Sequence, residues 1–518
     1  MPAPGPSMAV TRAAREPIAS LDAHRVVPRP TSVSVGMGAA FALDSTTVVV
    51  APAGGEGARV GQMLATMLRP ATGFPFAVAA TPPARNAITL ALGAPDSLGA
   101  EGYDLSIGDA GVRIAATTPA GLFRGVQTLR QLLPAGIEME QSATGAAKAW
   151  TIPAGRIVDR PRYAWRGAML DVARHFFTVD EVKQYLDLMA MYKLNTFHIH
   201  LSDDQGWRIQ IDARPRLTTV GGASEVGGGP GGFYTKADYA EIVRYAADRF
   251  ITVVPEIDMP AHTAAAIAAY PEIGCSRARP YPSPNAPSDQ YYTGIRVGWS
   301  ALCHDKPETW AFIDDVIREL AAMTPGAYLH IGGDEVEILN HEQYVGFVER
   351  VEQVVEKYGK QVVGWEEITQ ARLRPNSIAQ QWRSDSAGAA VRAGAKLLVS
   401  PARKAYIDMQ YTTDTELGLH WAAYIPLRDA YEWDPATYVK GATPQAVVGV
   451  EAPMWSETLQ NIGAVMYLAV PRLPALAEVG WSPQGARSWD DFSRRIAHHA
   501  PRWRLLGINY YASPQVEW

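Results

Sequence analysis

Two adjacent carboxylates behind a pair of glycines, in His330-Ile-Gly-Gly-Asp-Glu335, are the group in this chain best suited to proton chemistry. Successive residues of a strand point to opposite faces, so Asp334 and Glu335 can share a site only where a strand ends and its backbone turns. The paired glycines permit such a turn and a close ligand approach. Neighbouring carboxylates resist ionising together, and burial beside tryptophan raises a carboxyl's pKa further. One acid then keeps its proton for a leaving oxygen while the other stays an anion. More acids and aromatics follow short strand-like runs: Asp171 and Arg174; Asp203 and Asp204; Glu256, Asp258 and His262; Trp365, Glu366 and Glu367; Trp382; Tyr406 and Asp408; Trp455 and Glu457. Carboxylates accept hydrogen bonds from hydroxyls, and indole faces cover the apolar side of a sugar ring. The set suits a neutral, polyhydroxylated ligand, and a carboxylate pair beside it is glycosidase equipment. A phosphate ligand would call for Arg/Lys clusters or a glycine-rich turn opening a helix. The glycine-rich stretch Gly227–Gly232 lacks a Gly-Lys-Ser/Thr ending and is expected to be a rim loop.

Such residues need a scaffold that gathers strand ends. Beyond a boundary expected at Ile152–Pro161, eight strand-like runs occur in order, most followed by a helix-like segment: Gly167–Val172, Thr196–Leu201, Ile251–Ile257, Tyr328–Ile331, Gln361–Trp365, Ile378–Trp382, Lys396–Val399 and Val447–Val450. Thr178-Val-Asp-Glu181 and Thr235-Lys-Ala-Asp238 read as capping boxes, and Asp305-Lys-Pro-Glu308 places Pro in a first helical turn. The expected fold is α/β, a (β/α)8 TIM barrel with its site at the C-terminal ends of the strands. Its weakest unit is the helix after the seventh strand, and an open doubly wound sheet is the alternative. Upstream, β-type runs (Thr46–Val50, Ala87–Leu92, Val112–Ala116) mix with helical stretches Ala58–Leu68 and Gly121–Leu133, as in a smaller α+β domain. The division expected is a flexible tail over 1–24, an α+β support domain over 25–155 and the catalytic barrel over 156–518.

The 518 residues are 47% hydrophobic and 19% charged, which excludes long disorder. Net charge is -6, with no Lys/Arg-rich run, so no nucleic-acid partner is expected. No window reaches the roughly 18 uninterrupted apolar residues of a membrane helix, and no membrane partner is expected. The two cysteines, Cys275 and Cys303, form no CxxC, which excludes a thiolate zinc site. They lie in one loop-rich stretch, where a disulfide contributing roughly 3–4 kcal/mol is expected. The opening MPAPGPSMAVTRAAREP lacks the apolar core of an intact signal peptide. The expected location is extracellular, the leader being absent or already removed.

Six stretches in order, Leu170-Asp-Val-Ala-Arg-His-Phe-Phe177, His200-Leu-Ser-Asp-Asp-Gln-Gly-Trp207, Pro255-Glu-Ile-Asp-Met-Pro-Ala-His262, His330–Glu335, Gly364-Trp-Glu-Glu367 and Met454-Trp-Ser-Glu457, resemble glycoside hydrolase family 20. Its members are exo-acting β-N-acetylhexosaminidases, and the likeness is greatest to the bacterial ones. The resemblance implies a retaining, substrate-assisted mechanism in which the substrate's own 2-acetamido oxygen attacks and forms an oxazolinium. Asp334 would orient the acetamido nitrogen, and Glu335 would act as acid and then base. Tyr406 would bond the acetamido oxygen, with Trp365, Trp382 and Trp455 around the methyl. Arg174, Asp408 and Glu457 would hold hydroxyls, and Asp203 and His262 would tune Glu335. Ala261 departs from the glycine many relatives place before this histidine. The implied partners are small N-acetylhexosaminides and chitooligosaccharides, as in chitin degradation, with no cofactor and no metal.

Four other readings are open at this point. One is a disaccharide-releasing relative of lacto-N-biosidase type. Another is a metal-dependent barrel hydrolase using His198, His200, His262, His330 and Asp334, although His198 by itself is expected to be structural. The others are a sugar-binding protein without turnover and a retaining glycosidase with a carboxylate nucleophile.

Overall fold

The computed structural model describes residues 18–83, 85–141, 150–275, 291–392 and 394–518. The chain forms two compact units, the first made of residues up to 162 with 191–193 and 477–518. Among the described residues its strands are β1 (Ser32–Val35), β2 (Phe41–Ala42), β3 (Val48–Val50), β4 (Val78–Ala79), β5 (Ala87–Leu92), β6 (Tyr103–Gly108), β7 (Gly111–Ala116), β8 (Thr151–Ile152) and β9 (Gly155–Asp159). Seven of them form a mixed sheet in the order β1-β9-β6-β7-β5-β3-β4, and β2 pairs with β8. Helices Gly55–Thr72 and Pro119–Leu132 pack on this sheet and on each other. The second opens with Pro at its first turn and Thr118 as cap, and its stripe Leu122, Val126, Leu129 is buried.

Two expected boundaries are corrected here. The 1–24 tail lies outside the described residues as far as 17, but Leu21 and His24 are buried in this unit. Residues 156–162 and 477–518 group with the first unit and not with the barrel. The reasons are local: β9 pairs antiparallel with β1 and β6, and helix Ala500–Leu505 packs on the turn Ala135–Glu138. Buried charges in this unit are matched, Arg495 with Glu478 and Arg502 with Glu138.

The second unit, residues 163–190 and 194–476, is a closed parallel barrel of β10 (Trp165–Asp171), β11 (Thr196–His200), β12 (Thr252–Glu256), β13 (Tyr328–His330), β14 (Gln361–Trp365), β15 (Ile378–Gln381), β16 (Lys396–Val399) and β17 (Val447–Ala452). Strands buried on both faces need near-continuous burial, and every residue of β10 and β11 is buried. Pairing of β10 with β17, Trp165 opposite Gly449, closes the cylinder. Trp165, Val254, Val363, Ile378 and Leu398 pack together as one apolar layer of the interior. Register then fixes what lies beyond it: His198 is level with Val254, and His200 with Glu256. Capping boxes form at Thr178/Glu181 and Thr235/Asp238. After β16 a long excursion carries only short helices, Leu427–Tyr431 and Pro435–Tyr438.

The disulfide expectation is also corrected. Cys275 and Cys303 flank the bridge pair Gly274/Leu302 and are free thiols. Burial raises both, and Cys275 and Asp305 help push Cys303 up to about 12. Residues 276–290 of the loop between them lie outside the described residues.

Candidate active site

Where β13 ends, the backbone turns through Gly332 (φ 66°) and Gly333 (φ 102°) and reaches Glu335 at φ 52°. A Cβ on Gly332 would come within 1.7 Å of Asp258 Oδ1, so only glycine fits. The turn is pinned by Gly333 N–H donating to Asp258 Oδ1 (3.1 Å) and by Tyr344 O–H donating to the Gly333 carbonyl (2.7 Å). Left-handed backbone at a residue with a Cβ costs roughly 1–2 kcal/mol. Glu335 bears that cost, and so does His262 at φ 56°. The two distortions bring both carboxylates to one imidazole: His262 Nε2 is 3.5 Å from Glu335 Oε2 and 3.7 Å from Asp334 Oδ2.

Behind His262 runs a buried row of alternating acids and imidazoles. His198 faces Glu451 Oε1 at 2.8 Å and Glu256 Oε2 at 2.9 Å. His200 faces Glu256 Oε2 at 2.5 Å and Asp203 Oδ2 at 2.9 Å. A neutral imidazole donates from one nitrogen only, so each ring between two carboxylates is held as an imidazolium. Burial opposes that charge, yet Glu451 and Glu256 lift His198 to about 9. Asp203 also meets Arg174 Nη2 (2.8 Å) and His262 Nδ1 (3.1 Å). Despite burial, Arg174 and His262 hold it far below the ordinary carboxylate range. Asp204 turns away, accepting from Ser300 Oγ and Ala264 N–H.

These contacts divide the two carboxylates. Burial and the charges of Glu335 and Glu256 push Asp334 up to about 6, against His262. Glu335 lies below its ordinary value: burial is outweighed by the His262 ring beside it and by the charges of Arg383 and Arg174. His262 itself, despite burial, is lifted well above 6.5 by Asp203, Asp258 and Asp334. Both carboxylates thus stand beside a ring held toward its imidazolium form.

Aromatic rings wall the space above. Trp382 and Tyr406 lie parallel with centroids 6.3 Å apart, Trp365 and Trp455 are 5.6 Å apart, and Trp421 stands edge-on to Trp382 and Tyr406. All but Trp421 are buried. Burial beside Asp334 and Asp408 keeps the Tyr406 phenol protonated as a donor. Asp334 Oδ1 and both oxygens of Asp408 are buried with no hydrogen-bond partner among the described residues. Buried acceptors without donors are costly, and a ligand rich in O–H and N–H groups relieves that cost. Arg174 pairs with Asp171 and Asp203, lies 4.8 Å over the Trp455 ring and, among the described residues, leaves its Nε without a partner. Its field also acts on Glu457.

The structure thus gathers Asp334, Glu335, His262, Asp203, Arg174, Tyr406, Asp408, Glu457 and the three buried tryptophans at one end of the barrel. Of the imidazoles named for a metal site, His198 and His200 are engaged by protein carboxylates through both nitrogens and His262 through Nδ1, while His330 Nδ1 accepts from the Gly332 N–H (3.0 Å) beside Glu256 Oε1. Sequence reading passed over Trp421 and Arg383. The first lies in a long loop without a strand end to mark it; the second reaches Glu335 Oε1 (3.8 Å) only through tertiary folding.

The family description "Glycosyl hydrolase family 20, catalytic domain" matches residues 163–345 and 337–484, and "domain 2" of the same family matches 23–160. The chain belongs to glycosyl hydrolase family 20. As a family 20 member it is a glycoside hydrolase, and its barrel with a smaller N-terminal domain is the fold of that family. It is 46% identical over 498 residues to the beta-N-acetylhexosaminidase of Cellulomonas fimi, covering 95% of this chain and 97% of that one. The N-acetyl-beta-hexosaminidase of Streptomyces plicatus, in complex with Thio-NAglucal, superimposes with TM-score 0.92 at 50% identity, covering 98% of this family 20 chain and 100% of the other. A mutant of the Streptomyces enzyme in complex with its product GlcNAc gives TM-score 0.91 at 49% identity over 98% and 100%.

Proposed function

We propose that this chain is an exo-acting, retaining β-N-acetylhexosaminidase that releases terminal GlcNAc or GalNAc through an oxazolinium formed by the substrate's own acetamide. The observation that carries this reading is one imidazole flanked by two carboxylates beneath an aromatic box whose buried acceptors lack donors. Named relatives from Cellulomonas and Streptomyces support it. On binding, the acetamido N–H donates to Asp334 and Tyr406 O–H donates to the acetamido oxygen, aiming that oxygen at C1. His262 passes its Nε2 proton to Glu335, which delivers it to the departing oxygen as the C1–O bond breaks. Asp334 balances the positive charge developing on the oxazolinium. Glu335, now a carboxylate, takes a proton from water as that water opens the ring at C1, so the β configuration returns. Intramolecular attack benefits from an effective molarity on the order of 10⁵–10⁸ M.

The test is the 2-substituent. An aryl N-acetylglucosaminide is expected to turn over at least about 10³-fold faster than the matched glucoside. Equal rates, or a sugar trapped as an ester on the chain, would remove the mechanism.

The pH dependence has a definite sign. Asp334 is raised to about 6, so its anion is present above that pH and lost below it. Since kcat/KM reports the free enzyme, it should fall about tenfold per unit below pH 6. The bound amide stabilises the Asp334 anion, so kcat should hold to lower pH. A kcat/KM flat from pH 7 to pH 4.5 would contradict this.

A further inference from the structure

The loops after β15 and β16 line a half-open cavity of about 400 Å3 beside the aromatic box. Its lining includes Gln381, Trp382, Arg383, Arg403, Trp421 and Lys440. Arg383 stacks 4.2 Å from the Trp382 ring while its Nη1 lies 3.8 Å from Glu335 Oε1, so one side chain spans from the acid to the cavity. A leaving group departs on the oxygen that Glu335 protonates and must lie on that side.

The chemistry of the lining is specific. Trp421 is 54% exposed and offers a ring to a sugar. Gln381 is 3% exposed, yet its side-chain oxygen is buried without a partner among the described residues, an acceptor awaiting a donor. Arg403 and Lys440 are exposed, and among the described residues neither side chain has a hydrogen bond or ion pair. Against these cations the lining sets one carboxylate, Asp385, which accepts the Lys440 backbone N–H (3.1 Å). On a chain of net charge -6, this is a local reversal of sign.

We propose that this cavity receives the leaving-group side of the substrate and selects a leaving sugar that carries an anion, a carboxylate or a sulfate ester. The inference rests on the hexosaminidase reading and adds a substrate class to it. The test compares N-acetylglucosamine β-linked to glucose, to glucuronate and to a glucose sulfate ester, in wild type and in the double variant Arg403→Ala/Lys440→Ala. At low salt kcat/KM is expected to favour the acidic disaccharides by roughly 5- to 20-fold, mainly through KM. The preference should shrink toward unity as salt shortens the range of the charges, and the double variant should bring it within about twofold of one. Because the readout is a ratio within each protein, loss of folded material cancels. A gain with only one of the two acidic sugars identifies which anion is chosen. A wild-type ratio of one or less, or a ratio that survives in the double variant, overturns the inference while hydrolysis of the neutral disaccharide leaves the hexosaminidase reading intact. If the neutral disaccharide and an aryl N-acetylglucosaminide both fail, the reading itself is wrong and the inference falls with it.

Discussion

Glu335→Gln is expected to lower kcat/KM by roughly 10²–10⁴-fold on disaccharides, the range of general acid catalysis, and by much less on activated aryl glycosides. The variant keeps the size of the side chain and its place beside His262, but a carboxamide cannot surrender a proton to a departing oxygen. A good leaving group needs little protonation, so the deficit should track leaving-group basicity. Kinetics over a series of aryl N-acetylglucosaminides of graded basicity measures the slope. A variant with the wild-type slope would remove Glu335 from the acid role.

Asp334→Asn is expected to reduce kcat by roughly 10²–10³-fold, the usual loss when a preorganised electrostatic partner is removed, while KM changes only a few fold. An Asn oxygen still accepts the acetamido N–H, so ground-state binding survives. What disappears is a negative charge 3.7 Å from His262 Nε2 in the wild type, opposite the positive charge that grows only in the transition state. Steady-state kinetics gives the split directly. A fall confined to KM would make Asp334 a binding residue only, and wild-type values for both constants would end the assignment.

Much of this machinery is visible in residue order. Eight apolar runs at β/α spacing point to a parallel α/β sheet, and residues just beyond each run gather at the C-terminal ends of its strands. Gly332 and Gly333 announce a turn that a Cβ would block. The alternation His198-Ile199-His200 shows that both imidazoles share a face, but not what they face; Glu256 and Glu451 come from strands 50 and more residues away. Read alone, such histidines suggest a metal site; seen between carboxylates, they form a charged row behind Asp203.

The order of residues by itself therefore determined the parallel β/α repeat and which acids follow its strands, because hydrophobic period and chain direction act locally along the polymer; closure waited for the pairing of β10 with β17. Only the tertiary structure decided which way the pKa of each of those acids is shifted, and that the C-terminal helices group with the first unit rather than with the barrel. Charge coupling depends on distance and burial, and neither exists until segments far apart in the chain are packed side by side.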